Sequence, residues 1–270
     1  MNSSGVSVPA RAKSVRVFAV VVAVGLMYFP GLGVVDLASA ALGLPDRDEY
    51  VSMRSGYGLV VGFLLPVALF TLARRPTLAA APVQHVLAAA VAYFAAAAAG
   101  GVWTAIIGGV ALLVSALVLA RLSPGAGHLR PAANPAHRPL VVLAALGAGP
   151  WVVYAGVMAV QQRMGSDPYE DFTLGVQGWS ALTVFALVMM LNSVIAVFRP
   201  PGWRSMLRAT GIASLMFGLV SVWVGAVPGS PGPFWGGGAL LWGIALIVFS
   251  WIPRRKPRLR APLRLSNAGI

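Results

Sequence analysis

The stretch LAAAVAYFAAAAAGGVWTAIIGGVALLVSALVLARL, residues 87–122, contains a single charged side chain, Arg121. A helix needs about 20 apolar residues to cross the hydrocarbon core of a bilayer, so this stretch is long enough for two crossings. Gly100 and Gly101 stand near its middle, and glycine permits the backbone angles of a tight turn. We therefore predict two membrane helices over residues 82–100 and 102–120, joined by a short turn.

Further apolar runs of similar length occur on both sides of this stretch. The chain of 270 residues is 58% hydrophobic and 10% charged, with a mean hydropathy of +0.81, which excludes a soluble globular protein. Unpaired backbone groups are costly in lipid, so each run is expected to be helical. The sequence predicts an all-α integral membrane protein with eight transmembrane helices over residues 16–36, 56–73, 82–100, 102–120, 139–160, 178–198, 209–228 and 234–252.

The charged residues sort into two groups when the N-terminus is drawn inside. Most basic residues then lie in cytoplasmic segments, and the outer segments hold only Arg47, Arg54 and Arg163. All seven acidic residues fall outside or at the outer edge. Positive loops are retained in the cytoplasm, so this pattern predicts a multi-pass plasma-membrane protein with both termini cytoplasmic. It also explains the net charge of +13 without invoking a nucleic-acid partner.

An internal repeat is visible when the chain is shifted by 122 residues. Asp48-Glu49-Tyr50 then falls on Glu170-Asp171-Phe172, and Gly56-Tyr57 falls on Gly178-Trp179. Four spans in each half would make the repeats parallel, related by an axis along the membrane normal. The predicted organisation is a cytoplasmic N-terminal segment (residues 1–15), two four-helix repeats (16–130 and 131–252) and a basic cytoplasmic tail (253–270). Although Ala38-Ser39-Ala40 resembles a signal-peptide cleavage site, the repeat favours a retained first helix.

The two acidic turns of the repeat are the first candidate site. A carboxylate before a helix start interacts favourably with the positive end of the helix, so these acids could simply cap helices. Tyr57, Trp151, Trp179 and Trp235 could likewise anchor at the headgroup level. The alternative is a substrate or cation site where both turns meet. The candidate substrate-binding residues are Asp48, Glu49, Tyr57, Glu170, Asp171, Gln177, Trp179 and Asn192.

Polar residues within the spans are few. Asn192 shares a helix face with Gln177, Ala181 and Phe185, and this stripe could line a substrate path or form hydrogen bonds between helices. The latter role is favoured. His85 is expected at the interface and lacks the second histidine that haem would need. The chain has no cysteine and no EF-hand spacing, so we expect neither a metal nor a cofactor.

Small residues and prolines give two further expectations. The alanine-rich third span should lie centrally in the bundle, because small side chains let helices approach closely. The same is expected of Gly108, Gly109, Gly236, Gly237 and Gly238. Pro30 and Pro150 interrupt corresponding spans of the two halves, and matched breaks can mark a binding site.

Three functions are compatible with this pattern. The favoured one is a permease-like transporter, because eight spans, a repeat and matched proline breaks are typical of transporters. Its cargo should be an apolar or neutral small molecule, because no Asp, Glu, Lys or Arg lies deep in a span. The alternatives are an intramembrane enzyme acting on a lipid or isoprenoid, and a non-catalytic membrane subunit or scaffold. The sequence favours a non-enzymatic function without deciding it. Expected partners are the lipid bilayer, anionic lipids at the basic tail, a small apolar ligand, and a membrane or cytoplasmic protein.

Overall fold

The structure, a computed structural model, describes residues 8–28, 33–42, 50–123, 136–165, 178–225 and 227–252. Within these ranges the chain is 88% helical and contains no strand. The helices are α1 Val8–Tyr28, α2 Gly33–Leu42, α3 Val51–Arg74, α4 Ala80–Gly100, α5 Thr104–Leu122, α6 Arg138–Arg163, α7 Trp179–Val197, α8 Trp203–Val224 and α9 Gly232–Trp251. A short 3-10 turn, Pro76–Leu78, precedes α4.

Helices α3 to α9 are each long and apolar enough to cross a membrane, and they correspond to seven of the eight predicted spans. The first predicted span, residues 16–36, differs from the structure. Here α1 has 21 residues but starts earlier and includes Arg11, Lys13 and Arg16. It ends at Tyr28, and a separate helix begins at Gly33. Pro30 lies in the sequence between them, and proline removes a helical hydrogen-bond donor.

A π-helical segment, Gly58–Leu64, widens the middle of α3. Pro66 follows directly, and its missing N–H prevents a regular helical bond at this point. The glycines of this segment also let α2 come close: a Cβ on Gly58 or Gly62 would lie 2.8 or 2.5 Å from the carbonyl oxygen of Gly33. The segment therefore combines a local change in helix geometry with direct backbone contact between α2 and α3.

The turn between α4 and α5 confirms the reading of residues 87–122 as two helices. Gly101 ends α4 in the left-handed conformation at φ 78°, which glycine adopts readily. The alanine-rich α4 also lies centrally, as expected, because it contacts α3, α5, α6, α7 and α8. At its end, Arg163 Nη2 donates to the carbonyl of Ala98 at 3.0 Å, and Arg163 Nε donates to the carbonyl of Ala99.

Helices α8 and α9 pack closely against each other through two glycine contacts. A Cβ on Gly211 would lie 2.8 Å from the carbonyl oxygen of Gly243, and one on Gly218 would lie 2.7 Å from that of Gly236. The two backbones thus touch without intervening side chains. Gly109 and Gly236 are buried as predicted. By contrast, Gly237 and Gly238 face open space, so their predicted central position is wrong.

Most of the described basic side chains gather at one end of the bundle, here called the basic end: Arg11, Lys13, Arg16, Arg74, Arg75, Arg121, Arg138, Arg199, Arg204 and Arg208. Two of them contact the C-terminal end of α9. Arg204 donates to the Ile252 carbonyl at 2.8 Å, and the Arg208 guanidinium lies 4.2 Å from the Trp251 ring centroid. Unpaired carbonyls at a helix C-terminus favour such cations. Arg54 and Arg163 lie at the opposite end.

Candidate functional site

Five of the predicted site residues lie outside the part of the chain that the structure describes. They are Asp48, Glu49, Glu170, Asp171 and Gln177. The proposed meeting of the two acidic turns therefore stays a prediction. Tyr57, Trp179 and Asn192 are described, and all three are buried inside the helix bundle.

The burial of the aromatic residues corrects their expected role as membrane anchors. Tyr57 is 2% exposed, and Trp151 and Trp179 are also buried, so these side chains contact protein rather than lipid headgroups. Trp235 is 52% exposed and keeps a surface position. Near Trp179, the Ser180 backbone N–H donates to Gln162 Oε1 at 3.0 Å, which satisfies a free donor at the start of α7.

Asn192 and His85 form a polar contact between α7 and α4. Asn192 Nδ2 lies 3.2 Å from His85 Nε2, an arrangement that makes the ring nitrogen the acceptor. His85 is 1% exposed, so its side chain packs inside the bundle beside Asn192. Among the described residues, Asn192 Oδ1 has no hydrogen-bond partner. The pair supports the interhelical hydrogen-bonding role of Asn192, in which one polar contact joins two apolar helices.

A deep cleft of about 1240 Å³ lies between α6 and α9. Ligand sites commonly occupy about 300–1,000 Å³, so this cleft is large enough for a molecule of lipid size. Its rim includes well-exposed residues, such as Val153 at 62% and Leu241 at 71%, and the cleft therefore opens sideways between the two helices. In a membrane this opening would face the acyl chains.

An aromatic cluster forms the floor of the cleft. Phe217 of α8 borders the bottom of the cleft but is fully buried, so it packs beneath the rings that face the open space. Trp151 is the hub of the cluster: its ring centroid lies 5.5 Å from that of Phe185, 6.0 Å from that of Phe217 and 6.0 Å from that of Trp242. Edge-to-face and tilted contacts of this kind hold rings in fixed orientations.

Two hydrogen bonds join α6 to the α9 region. Trp242 Nε1 donates to the Leu143 carbonyl at 2.9 Å, and the Tyr154 hydroxyl donates to the Gly229 carbonyl. The indole of Trp242 lies directly on the α6 backbone, because a Cβ on Gly147 would approach Trp242 Cε2 to 2.4 Å. The separation of the two helices is thus fixed at both ends of the cleft.

Pro150 lies inside α6, which continues through it. The expected break of this span is therefore absent from the structure. Because proline has no N–H, the carbonyl of Leu146 loses its helical donor. Leu146 lines the cleft, so this change in backbone bonding occurs at the candidate site.

The polar side chains of the cleft are concentrated at the end remote from the basic end. Ser230 and the Tyr154 hydroxyl lie next to the start of α9, and none of the described residues that line the cleft carries a charge. Ser230 Oγ accepts a hydrogen bond from the Gly232 N–H at 3.1 Å, which leaves its own hydroxyl proton to donate. The remainder of the lining is apolar or aromatic. The cleft is thus an amphipathic site with a small neutral polar end.

Comparison with known proteins gives no relative: no family model, no curated protein and no solved structure matches the chain. The geometry of the cleft is therefore the basis for any function assigned to it. Sequence patterns alone do not reveal this site, because its lining residues come from separate helices. The one local signal is the pair Trp151 and Tyr154, which share a face of α6 at a spacing of three residues.

Proposed function

We propose that the protein is a permease-like membrane protein that binds an apolar or neutral small molecule in the cleft between α6 and α9. The observation that carries this proposal is the cleft itself: it measures about 1240 Å³, opens at its side and has no charge among its described lining residues. Specific ligand sites are typically concave, mostly apolar and provided with a few polar groups. Carriage of a neutral molecule also agrees with a sequence that has no Asp, Glu, Lys or Arg deep in a predicted span.

The proposed architecture has eight spans, with α1 as the first, arranged as two parallel four-helix repeats. Helix contacts support it. In the first half α1 packs on α3 and α4 on α5, and in the second half α6 packs on α7 and α8 on α9. The third helix of each half also contacts the second helix of the other, α4 on α7 and α8 on α3. A twofold axis along the membrane normal would produce this reciprocity.

The cleft lies in the second proposed half, between its first and fourth helices, α6 and α9. Both helices also contribute to the main hydrophobic core, through Trp151, Ala155 and Met158 of α6 and through Trp242 of α9.

Filling the cleft should abolish ligand binding without unfolding the protein. Gly238 lines the cleft, and a Cβ built there meets nothing within 4 Å, so the ring of Gly238→Phe can occupy the cleft. Gly156→Phe is the matched control, because Gly156 is exposed on α6, does not line the cleft and is equally unobstructed. We expect mass spectrometry of purified protein to find a copurified molecule in the wild type and the control, and to find it depleted at least tenfold in Gly238→Phe.

The same experiment separates the alternative functions. A permease returns its ligand chemically unchanged and moves it between the leaflets of reconstituted vesicles. An enzyme acting on a lipid or isoprenoid converts the molecule during incubation. Equal recovery of the same molecules from both variants would contradict the proposed site and favour a scaffold, including one that binds a membrane or cytoplasmic protein.

The proposed topology places both termini in the cytoplasm and the segment around residue 170 outside, in the plasma membrane. The chain has no cysteine of its own, so the labelling of a variant with one introduced cysteine reports on that position alone. We expect a membrane-impermeant maleimide to label Asp167→Cys in intact cells, and to label Ser3→Cys and Ser266→Cys only after permeabilisation. If Ser3→Cys were labelled in intact cells while Ser266→Cys remained protected, the chain would cross the membrane an odd number of times.

The basic tail, residues 253–270, lies outside the described residues and remains proposed as a contact for anionic lipids. Basic residues beside a membrane are attracted to the negative surface of the cytoplasmic leaflet. This proposed lipid contact does not depend on whether the cleft binds a ligand.

A further inference from the structure

We propose that the ligand of the cleft is a long-chain lipid alcohol, with its hydroxyl group between Ser230 and Tyr154 and its chain along α6 and α9. This inference rests on the proposed function, because it names the class of molecule that the same cleft would bind. It is carried by three properties of the lining: the arrangement of its polar groups, its length and its lack of charge.

The polar groups at one end are complementary to a hydroxyl group. Ser230 accepts the Gly232 N–H and can donate its own proton, whereas Tyr154 donates to the Gly229 carbonyl and can accept through its oxygen. Gly229 and Ser230 are consecutive, so the two hydroxyl groups belong to one small region of the cleft. A hydroxyl head both donates and accepts one hydrogen bond, which is what this pair can satisfy.

The length of the cleft suits an extended hydrocarbon chain. Its lining extends from Leu143 to Met158 on α6 and from the start of α9 to Ala245. At a rise of 1.5 Å per residue, both helices border the cleft for roughly 20 Å. This is about two-thirds of the hydrocarbon thickness of a bilayer. A chain starting at Ser230 would therefore run beside the aromatic floor towards the basic end of the bundle.

The lack of charge in the lining selects against an anionic head group. A phosphate in this cleft would lose water without gaining a cation or an array of donors, and burying an uncompensated charge is strongly unfavourable. A hydroxyl group needs only the two partners that Ser230 and Tyr154 provide. The cleft is thus expected to discriminate between a lipid alcohol and the corresponding phosphate ester.

The lining also favours a flexible chain over a transmembrane helix of another protein. The Trp242–Leu143 and Tyr154–Gly229 hydrogen bonds hold the two walls together at its ends. A hydrocarbon chain can enter the cleft from its open side without breaking either bond. A helix, with a diameter of roughly 10–12 Å, would have to separate the walls to reach the same depth.

The test uses the full-length protein in lipid nanodiscs and three photoactivatable probes: farnesol, dioleoylglycerol and dioleoyl phosphatidic acid. The two alcohols distinguish an isoprenoid from a glycerolipid source, and the phosphatidic acid has the same acyl chains as the diacylglycerol. We expect at least one alcohol to label peptides of α6 and α9, with labelling by phosphatidic acid at least about tenfold weaker, because the charged head has no compensating partner.

The head-group pair is tested by Ser230→Ala and by Ser230→Ala combined with Tyr154→Phe. Loss of the two hydrogen bonds should reduce labelling by the alcohol about tenfold in the double variant, with Ser230→Ala intermediate. Ser115→Ala is the control, because Ser115 bonds within α5 and does not line the cleft. The single variant retains the Tyr154 bond to Gly229, so it reports on the head group if the double variant folds poorly.

Equal labelling by phosphatidic acid would overturn the lipid-alcohol assignment. Alcohol labelling that Ser230→Ala leaves unchanged would overturn it as well. If Gly238→Phe depletes a copurified molecule but neither alcohol labels α6 and α9, the proposed binding function survives and the lipid class is wrong. If cross-linking through the cleft yields a dimer of this chain instead of a lipid adduct, the occupant is a second copy and the assignment fails.

Discussion

Gly218→Leu is expected to separate α8 from α9 and to prevent accumulation of folded protein. A Cβ at Gly218 would lie 2.7 Å from the Gly236 carbonyl oxygen and 2.8 Å from the Leu240 backbone nitrogen. Both neighbours are backbone atoms and cannot be relieved by rotating a side chain. Overfilling a packed site lowers the free energy of unfolding by about 1–3 kcal/mol, and a helix pair in direct backbone contact belongs at the upper end.

The measurement is the yield of monodisperse protein after extraction, followed by thermal unfolding of the purified fraction. Gly237→Leu is the matched control, because Gly237 lies on α9, the other helix of this pair, directly after Gly236, and its added Cβ meets nothing within 4 Å. The control should accumulate like the wild type. Equal yields of the two variants would mean that the contact between α8 and α9 is looser than the structure indicates.

Gly147→Ala is expected to displace the Trp242 indole from α6, although it adds only a methyl group. The new Cβ would lie 2.4 Å from Cε2 and Cζ2 of the indole, so the ring must move. That movement breaks the 2.9 Å bond from Trp242 Nε1 to the Leu143 carbonyl and disturbs the ring contact with Trp151. We expect the free energy of unfolding to fall by about 1–3 kcal/mol and the copurified ligand to be reduced.

A double-mutant cycle with Trp242→Leu checks this cause. Leucine leaves space above residue 147, so Gly147→Ala should change the stability of Trp242→Leu by no more than about 0.5 kcal/mol. The effects of the two substitutions are then strongly non-additive. Additive effects, measured by chemical unfolding in detergent, would show that Gly147 does not act through the indole.

The membrane helices could be predicted from sequence because their signal is local. Seven of the predicted spans correspond to helices of sufficient length, since about 20 apolar residues leave few other structures in lipid. Even the Gly100-Gly101 turn was predictable from glycine backbone preferences. The start of α1 could not be predicted in this way. The helix begins at Val8 and includes Arg11, Lys13 and Arg16, whereas hydropathy marks only its apolar part.

The candidate site was less predictable because hydropathy does not say which helix a residue faces. Trp151 and a headgroup-level tryptophan look alike in sequence, yet Trp151 is the centre of a buried aromatic cluster. The polar partner of His85 could not be predicted, because Asn192 lies 107 residues away along the chain. Gly237 and Gly238 resemble helix-contact glycines but border empty space. Each case depends on long-range contacts.

Because the cleft opens towards the lipid, its occupancy should depend on the concentration of the ligand in the membrane. A molecule arriving from the bilayer exchanges lipid neighbours for protein neighbours, so its transfer out of water is complete before it reaches α6 or α9. The hydrophobic effect then contributes little to recognition. Occupancy would follow the mole fraction of the molecule in the membrane rather than its aqueous concentration, and a low intrinsic affinity would suffice for saturation by an abundant membrane component.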